Sequence, residues 1–488
     1  MEELTTRELY NLGGQALSEE NYSRAFAYFL ECAKRGEADA QSILGIMYED
    51  AIGVEQNDHK AAEWYLRAAE QGEATAQCKL GIMYEEGRGV EQNNAKAAEW
   101  YLRAAEQGEI TAQCKLGIMY EEGRGIEQDN AKAVMWYQKA ARQGNVEGQF
   151  RLGVMYTKGW GVEKDYKKAA EWYRKVAEQG VSGVQFIVGA MYEKGDGVEQ
   201  NYTEAAEWYR KAAEQGNATA QCKLGIMCEE GQGVEQNDAE AATWYRKSAD
   251  QNVPEAQFNL GIMYEEGRGV EQNDIEATEW YRKAASQGIP AAQFKLGLRY
   301  EEGRGIERNN VRAAEWYQRA AEQGLADAQF NLGTMYYDGQ GVEQDYSKAV
   351  MWYRKAAGQG DAEAQFNLGV MYYGGQGIEQ DYAKAAMWYR RAAEQGVAAA
   401  QFNLGVMYSE NQGLERNYAK AAEWFLRAAE QGYTAAQFNL GLLYEEGEGV
   451  EQDHEEAIKW YRKAAEAGDI DAQSKLELIN KTKEGKSN

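Results

Sequence analysis

Proline is nearly missing from this chain, with 2 in 488 residues, and so is histidine, with His59 and His454 alone. Cysteine is sparse and odd in number: Cys32, Cys78, Cys114, Cys222 and Cys228 include no CxxC pair, which excludes the usual zinc and redox spacings and fits a reducing compartment. Positive charge is outweighed. Fifty-three Lys and Arg face 79 Asp and Glu, and the net charge of -26 opposes attraction to a phosphate backbone or an anionic membrane. No run of about 18 apolar residues could cross a bilayer, and the start MEELTTRELYNLGG lacks a basic region followed by an apolar one. These absences predict a soluble, cytoplasmic protein that binds neither nucleic acid nor membrane; a dedicated secretion system reading its own signal is compatible with them.

What the chain has is aromatic and glycine content: 13 Trp, 33 Tyr and 53 Gly, enough apolar area to bury a core and inconsistent with disorder or collagen. Tryptophan recurs at 64, 100, 136 and onward to 460 at a spacing of 36, and only Trp160 lies off that ladder. Glu37 to Gly468 is therefore 12 units of 36 residues, a period that signals stacked supersecondary units. In the copy Glu73–Gly108, whose numbers name the columns below, Ala76, Leu80, Met83 and Tyr84 follow one helical spacing, and Ala97, Ala98, Trp100, Tyr101, Ala104 and Ala105 another. Each unit reads as a helix pair.

The boundaries are marked. Column 93 is always Asn or Asp, which reads as the cap of the second helix. Column 108 is glycine in every copy but one, where Asn252 stands, as a left-handed helix end requires. Pro254 and Pro290 sit where a first helix starts, a position that tolerates proline. Gly45, Gly81 and their equivalents fall inside the first helix, at a cost of about 1 kcal/mol each relative to alanine. Close approach of a neighbouring helix is the expected compensation, and Glu477 fills the slot at the far end, where no further repeat would pack. The recurring loop EEGRGVEQN (Glu85–Asn93, again at Glu265–Asn273) reads as an interhelical turn, with Val90 tucking back onto the pair. It has neither the GxxxxGK[ST] of a phosphate loop nor the third glycine of a dinucleotide loop.

AQFNLGVMY (Ala400–Tyr408) followed by YAKAAEWFLRAAEQG (Tyr418–Gly432) closely resembles the Sel-one-like repeat family, a branch of the tetratricopeptide-like helical repeats. The resemblance covers residues 37–468 and implies an all-α solenoid, a right-handed superhelix of antiparallel helix pairs that holds other proteins together. Residues 1–36 look more like a tetratricopeptide helix pair, lacking the glycine turn, and 469–488 read as a capping helix with a frayed tail. Family likeness leaves the process open. Certain secreted, cysteine-rich relatives are associated with penicillin binding or β-lactamase activity; this chain lacks their cysteine pairs and contains no SxxK, so the reading is noncatalytic, with no cofactor and no metal. A secreted effector acting on host proteins is the alternative within the same family.

No chemistry-bearing cluster emerges. Glu85 and Glu86 read as a solvated helix end, although their charge opposes the helix dipole there. Cys78, Cys114 and Cys222 share a column with Phe150, Phe258 and Phe402 and read as packing residues, as does Cys228 in place of a tyrosine. Partner-binding residues are sought instead where otherwise uniform copies differ. Column 79 reads Lys79, Lys115, Arg151, Ile187, Lys223, Asn259, Lys295, Asn331, Asn367, Asn403, Asn439. In tetratricopeptide relatives this slot faces the concave groove, so the resemblance implies a polar stripe, basic early and amide-rich late. Lysines suit carboxylates and amides suit an extended backbone; the alternative is that they merely solvate the inner face. Glu85, Glu121, Glu265 and Glu301 border the stripe, and Tyr337 and Tyr373 replace glutamate later, which would suit apolar anchors. Repeat 145–180, with seven basic and five acidic residues, has Trp160 in its turn beside Lys158, either a docking turn or the drift of one copy. The expected partners are proteins or peptides, and the expected state is a monomer.

Overall fold

The computed structural model describes residues 4–485, and among them 27 helices and no strand occur. The chain divides into two compact units, residues 1–244 and 245–488, the division falling within the helix Asp238–Asp250. Each unit is a stack of helix pairs in which, away from the division, a helix packs on the one before it and the one after. The first helix of a repeat is called A and the second B; Ala74–Glu86 and Asn94–Glu106 are an example.

Local chemistry sets these ends. The Asn93 side chain accepts from the Lys96 amide at 3.0 Å, and Asp129, Asp165, Asn201, Asp345, Asp381, Asn417 and Asp453 cap their B helices likewise. B helices close on left-handed residues, Gly72 at φ +95° and Asn252 at φ +65° among them. Pro254 and Pro290 occupy first turns. Thr6–Ser18 and Tyr22–Lys34 are joined by only three residues, Glu19 to Asn21. Ile470–Gly485 packs Ala472 inward while Glu477 stays exposed; the tail expected to fray, 486–488, lies outside the described residues.

The glycine inside each A helix has a different cause from the one expected. A Cβ on Gly81 would lie 2.7 Å from the ring of Tyr101, which belongs to the B helix of the same repeat. The slot admits a fully buried tyrosine rather than a helix from the next repeat. The loop glycine does the joining between repeats. A Cβ on Gly89 would stand 2.1 Å from the backbone oxygen of Asp58, at the start of the preceding B helix, and Gly125 meets Asn94 in the same way. Val54, Val90, Ile126 and Leu414 tuck onto the core as expected. Alanines of both helices are fully buried, and the ladder tryptophans lie under a basic residue three positions on, as Arg103 over Trp100 at 4.5 Å.

A second polar ladder runs through the stack. Buried Gln77 donates to the carbonyl of Ala69 in the preceding repeat at 3.0 Å and accepts from Gln107 at 2.8 Å. These boundaries thereby satisfy backbone and amide groups that burial would otherwise leave unpaired, whereas at the last one Ala467 replaces the second glutamine and the buried Gln437 side-chain oxygen has no partner among the described residues.

Candidate partner-binding surface

The residues expected to form the stripe lie on the A helices, and their surroundings begin with a buried carboxylate. Glu85 closes the A helix Ala74–Glu86 and is 9% exposed, not a solvated end; Glu86 beside it is exposed and pairs with Arg88 at 2.6 Å. The Tyr101 hydroxyl donates to Glu85 at 2.6 Å, and the next repeat supplies Lys115 at 3.2 Å and Arg124 at 3.1 Å. This explains how a carboxylate survives at a helix C-terminus: three donors from two other elements offset the dipole and the burial. The pattern repeats at Glu49, bound by Tyr65, Lys79 and Arg88, and at Glu193, bound by Tyr209 and Lys223. In the second unit Glu265 takes Tyr281, Lys295 and the buried Arg299, and Glu445 takes Tyr461 and Lys475.

The basic half of the stripe is therefore engaged. Lys79, Lys115, Lys223 and Lys295 each hold the glutamate of the repeat before, at 3.0 to 3.2 Å, and Arg151 holds Glu121 at 3.3 Å and Glu147 at 2.7 Å. Burial alone would raise the Glu85 carboxyl, but the hydroxyl of Tyr101 with Lys115 and Arg124 outweighs it and holds it below the usual range. Glu49, Glu193, Glu265 and Glu445 are held low for the same reasons.

A lowered folded-state pKa gives stability that is complete above the ordinary value of 4.5 and is lost as pH falls through the folded value. Burial, then the carboxylate, raises Tyr101 above its ordinary 10.0, so its contribution is present below that pH and is lost as pH rises beyond it. Unfolding free energy measured in urea is thus expected to fall below about pH 4.5, and Glu85→Gln to flatten that acid limb. An unchanged limb would contradict the buried pairing.

The amide half differs. Tyr337 replaces the glutamate, and its hydroxyl donates to Gln376 at 3.2 Å while its ring stands edge-on to Tyr346. Tyr373 does the same with Gln412 at 2.6 Å and Tyr382. Tyr353, without a carboxylate, meets Thr334 at 3.0 Å. Where the column is Ser409, the tyrosine becomes Phe425 and the next stripe residue is Asn439, which donates to the Ala435 carbonyl at 2.8 Å. Asn331, Asn367 and Asn403 are half-buried near the hydroxyls of Tyr317, Tyr353 and Tyr389. Asn259 is half-buried on its A helix. A cavity of about 320 Å³ opens between Tyr337, Asp338 and Tyr353 of one repeat and Phe366 and Asn367 of the next.

Repeat 145–180 breaks the ladder in another way. Thr157 replaces the glutamate and lies 3.4 Å from the Tyr173 hydroxyl, Ile187 replaces the following lysine, and Trp160, 45% exposed, replaces the arginine that reaches back in the two earlier repeats. Lys158 is exposed and has no carboxylate within ion-pair reach among the described residues.

Sequence reasoning missed the tyrosine–glutamate bond, the glutamine ladder and Arg299, which stands where other repeats have Met or Leu and is 2% exposed between Glu265 and Asp274. A signal for the first was present. The ladder tyrosine gives way to phenylalanine at Phe425, where the glutamate is also lost, to Ser409, and the next stripe residue is Asn439. The five cysteines are buried and none forms a disulfide among the described residues; burial pushes Cys114 up to about 12 and Cys228 up to about 11, so neither is a ready thiolate.

The Sel1 repeat model matches the chain thirteen times, from residues 9–37 and 38–73 through to 434–469. A protective antigen of uropathogenic Escherichia coli strains, described as displaying an SLR fold, is 39% identical over 92% of this chain and 97% of its own, with a TM-score of 0.77. A Sel1 repeat protein from Oxalobacter formigenes is 33% identical over 64% of this chain and 93% of its own, with a TM-score of 0.50. Comparison with curated protein sequences gives no match. Repeats matched almost end to end, built on this helix pair and its glycine turn, establish that the chain belongs to the Sel1 repeat family, a branch of the tetratricopeptide-like helical repeats.

Proposed function

We propose that this chain is a noncatalytic scaffold that binds extended segments of other proteins along the face of its A helices, chiefly over residues 326–433. The observation that carries the reading is the change in the stripe. Lys79, Lys115, Arg151, Lys223 and Lys295 are held in ion pairs between repeats, whereas Asn331 follows a Glu301 already bound by Tyr317, and Asn367 and Asn403 follow the neutral Tyr337 and Tyr373 on the same face. Amides supply both a donor and an acceptor, which is what an extended backbone requires. Several weak contacts at a regular spacing add through effective concentration, which gives the length of the array a use.

The reading extends to a monomer in the cytoplasm, supported by five buried cysteines of which none is in a disulfide among the described residues. No helix among the described residues is long and apolar enough to cross a membrane. The likeness to a protective antigen supports a second location, outside the cell, with the same surface in use; immunoblotting medium against cytosol from the native cells separates the two.

Asn331→Ala, Asn367→Ala and Asn403→Ala combined are expected to lower recovery of cross-linked partner proteins by about tenfold at unchanged helicity, since each lost amide removes up to two hydrogen bonds. Quantitative mass spectrometry against the unaltered chain provides the measurement. Equal recovery would show that another face binds.

A further inference from the structure

The cavity between repeats 325–360 and 361–396 stands where earlier repeats place their own cations. At Glu49, the space between the tyrosine, the carboxylate and the next A helix is crossed by Lys79 and approached by Arg88. At Tyr337 the equivalent residues are Asn367 and Gln376, both shorter and uncharged, and a volume of about 320 Å³ is left between Tyr337, Asn367 and Tyr353. Its walls include the rings of Tyr337, Tyr353 and Phe366. Asp338 is exposed at its edge, and no Lys, Arg or His lies within ion-pair reach of it among the described residues. The matching Glu86 of repeat 73–108 is paired by Arg88 of its own turn, but here that turn carries Gln340.

We propose that this cavity seats a lysine or arginine side chain of the bound protein segment, an inference that rests on the A-helix face being the binding surface. The cation stands against the aromatic walls with its charge toward Asp338, and the Asn367 amide takes a backbone group of the same segment. Charge favours this occupant over an apolar anchor. The chain carries -26, the carboxylate at the edge lacks a partner, and an apolar side chain placed there would leave that carboxylate partly desolvated without compensation. The protein's own Lys79 and Lys115 show that the architecture accepts an alkylammonium beside this tyrosine column.

The test titrates the full chain, by calorimetry, with three end-blocked nonapeptides of Gly, Ser and Asn that differ only in a central Arg, norleucine or Glu. The arginine peptide is expected to bind about tenfold more tightly than the other two, and Asp338→Asn to remove that preference. Tyr337→Glu with Asn367→Lys rebuilds the pairing of the earlier repeats, so it is expected to fold, with helicity retained by circular dichroism, and to lose the peptide. Equal affinity for the arginine and norleucine peptides, or an Asp338→Asn chain that binds as before, overturns the cation seat while leaving the groove reading in place. Binding of none of the three overturns the seat, and the groove reading then stands or falls on the triple asparagine variant.

Discussion

Tyr101→Ala is expected to destabilise the unit 1–244 by about 3–5 kcal/mol, the range for truncating a large buried ring. Tyr101 is fully buried, its ring fills the slot that Gly81 leaves open, and its hydroxyl is one of three donors to Glu85. Truncation therefore opens a cavity and weakens the compensation of a buried carboxylate at once. Tyr101→Phe separates the two effects: the ring stays, the hydrogen bond goes, and a loss of roughly 1–2 kcal/mol is expected. Phe425 shows that the slot accepts phenylalanine, and it does so where Ser409 removes the carboxylate. Because neighbouring repeats couple only to one another, the damage should be local: hydrogen exchange should quicken over residues 73–144 before the rest of the unit. Loss of protection spread evenly across the unit, or a cost for Tyr101→Ala no larger than for Tyr101→Phe, would refute this packing.

The second large effect is expected at Gly89. Its φ of +68° costs a side-chain-bearing residue about 1–2 kcal/mol, and a Cβ placed 2.1 Å from the Asp58 carbonyl oxygen forces the turn off the preceding repeat. Gly89→Ala should therefore cost roughly 3 kcal/mol in urea unfolding. Its neighbour provides the control. Gly87 is also left-handed, at φ +71°, yet a Cβ there meets only the Gln92 side chain at 3.1 Å, and the equivalent position in a later repeat is Asn411 at φ +63°. Gly87→Asn is expected to cost only a few tenths of a kcal/mol. Similar losses at the two glycines would mean that the turn does not clamp one repeat to the next.

The two glycines also show what the sequence reveals and what it hides. Features governed by neighbours in the chain were legible: the 36-residue period, the caps at Asn93 and its equivalents, the left-handed ends at Gly72 and Asn252, and the tuck of Val90. Features governed by residues 16, 20, 30 or 39 positions away do not show in any single column. A glycine inside a helix, such as Gly81, points to the close approach of a neighbouring helix, but what it admits is the Tyr101 ring of its own repeat; a helix-end Glu85 points to solvent, but Lys115 and Arg124 come to meet it. The acidic and basic columns read side by side as a groove, whereas in the structure they pair with each other. The columns carry that information jointly: glutamate, tyrosine and lysine occur together at Glu49, Glu85 and Glu193, and serine, phenylalanine and asparagine occur together at Ser409. Glu301 is intermediate, keeping its bond from Tyr317 while the next repeat offers Asn331. The aromatic face at Tyr337 was legible as composition, but the cavity beside it is bounded by Asn367, a shortened side chain of the next repeat.

In the proposed reading one column does two jobs, holding repeats together where it is basic and meeting partners where it is amide. Melting temperature and partner recovery, taken on the same two triple variants, test that division directly. Lys79→Ala, Lys115→Ala and Arg151→Ala combined should lower the melting temperature and leave recovery unchanged, while the Asn331, Asn367 and Asn403 triple should leave melting nearly unchanged and lower recovery. The opposite assignment, with the basic set controlling recovery and the amide set controlling melting, would contradict it.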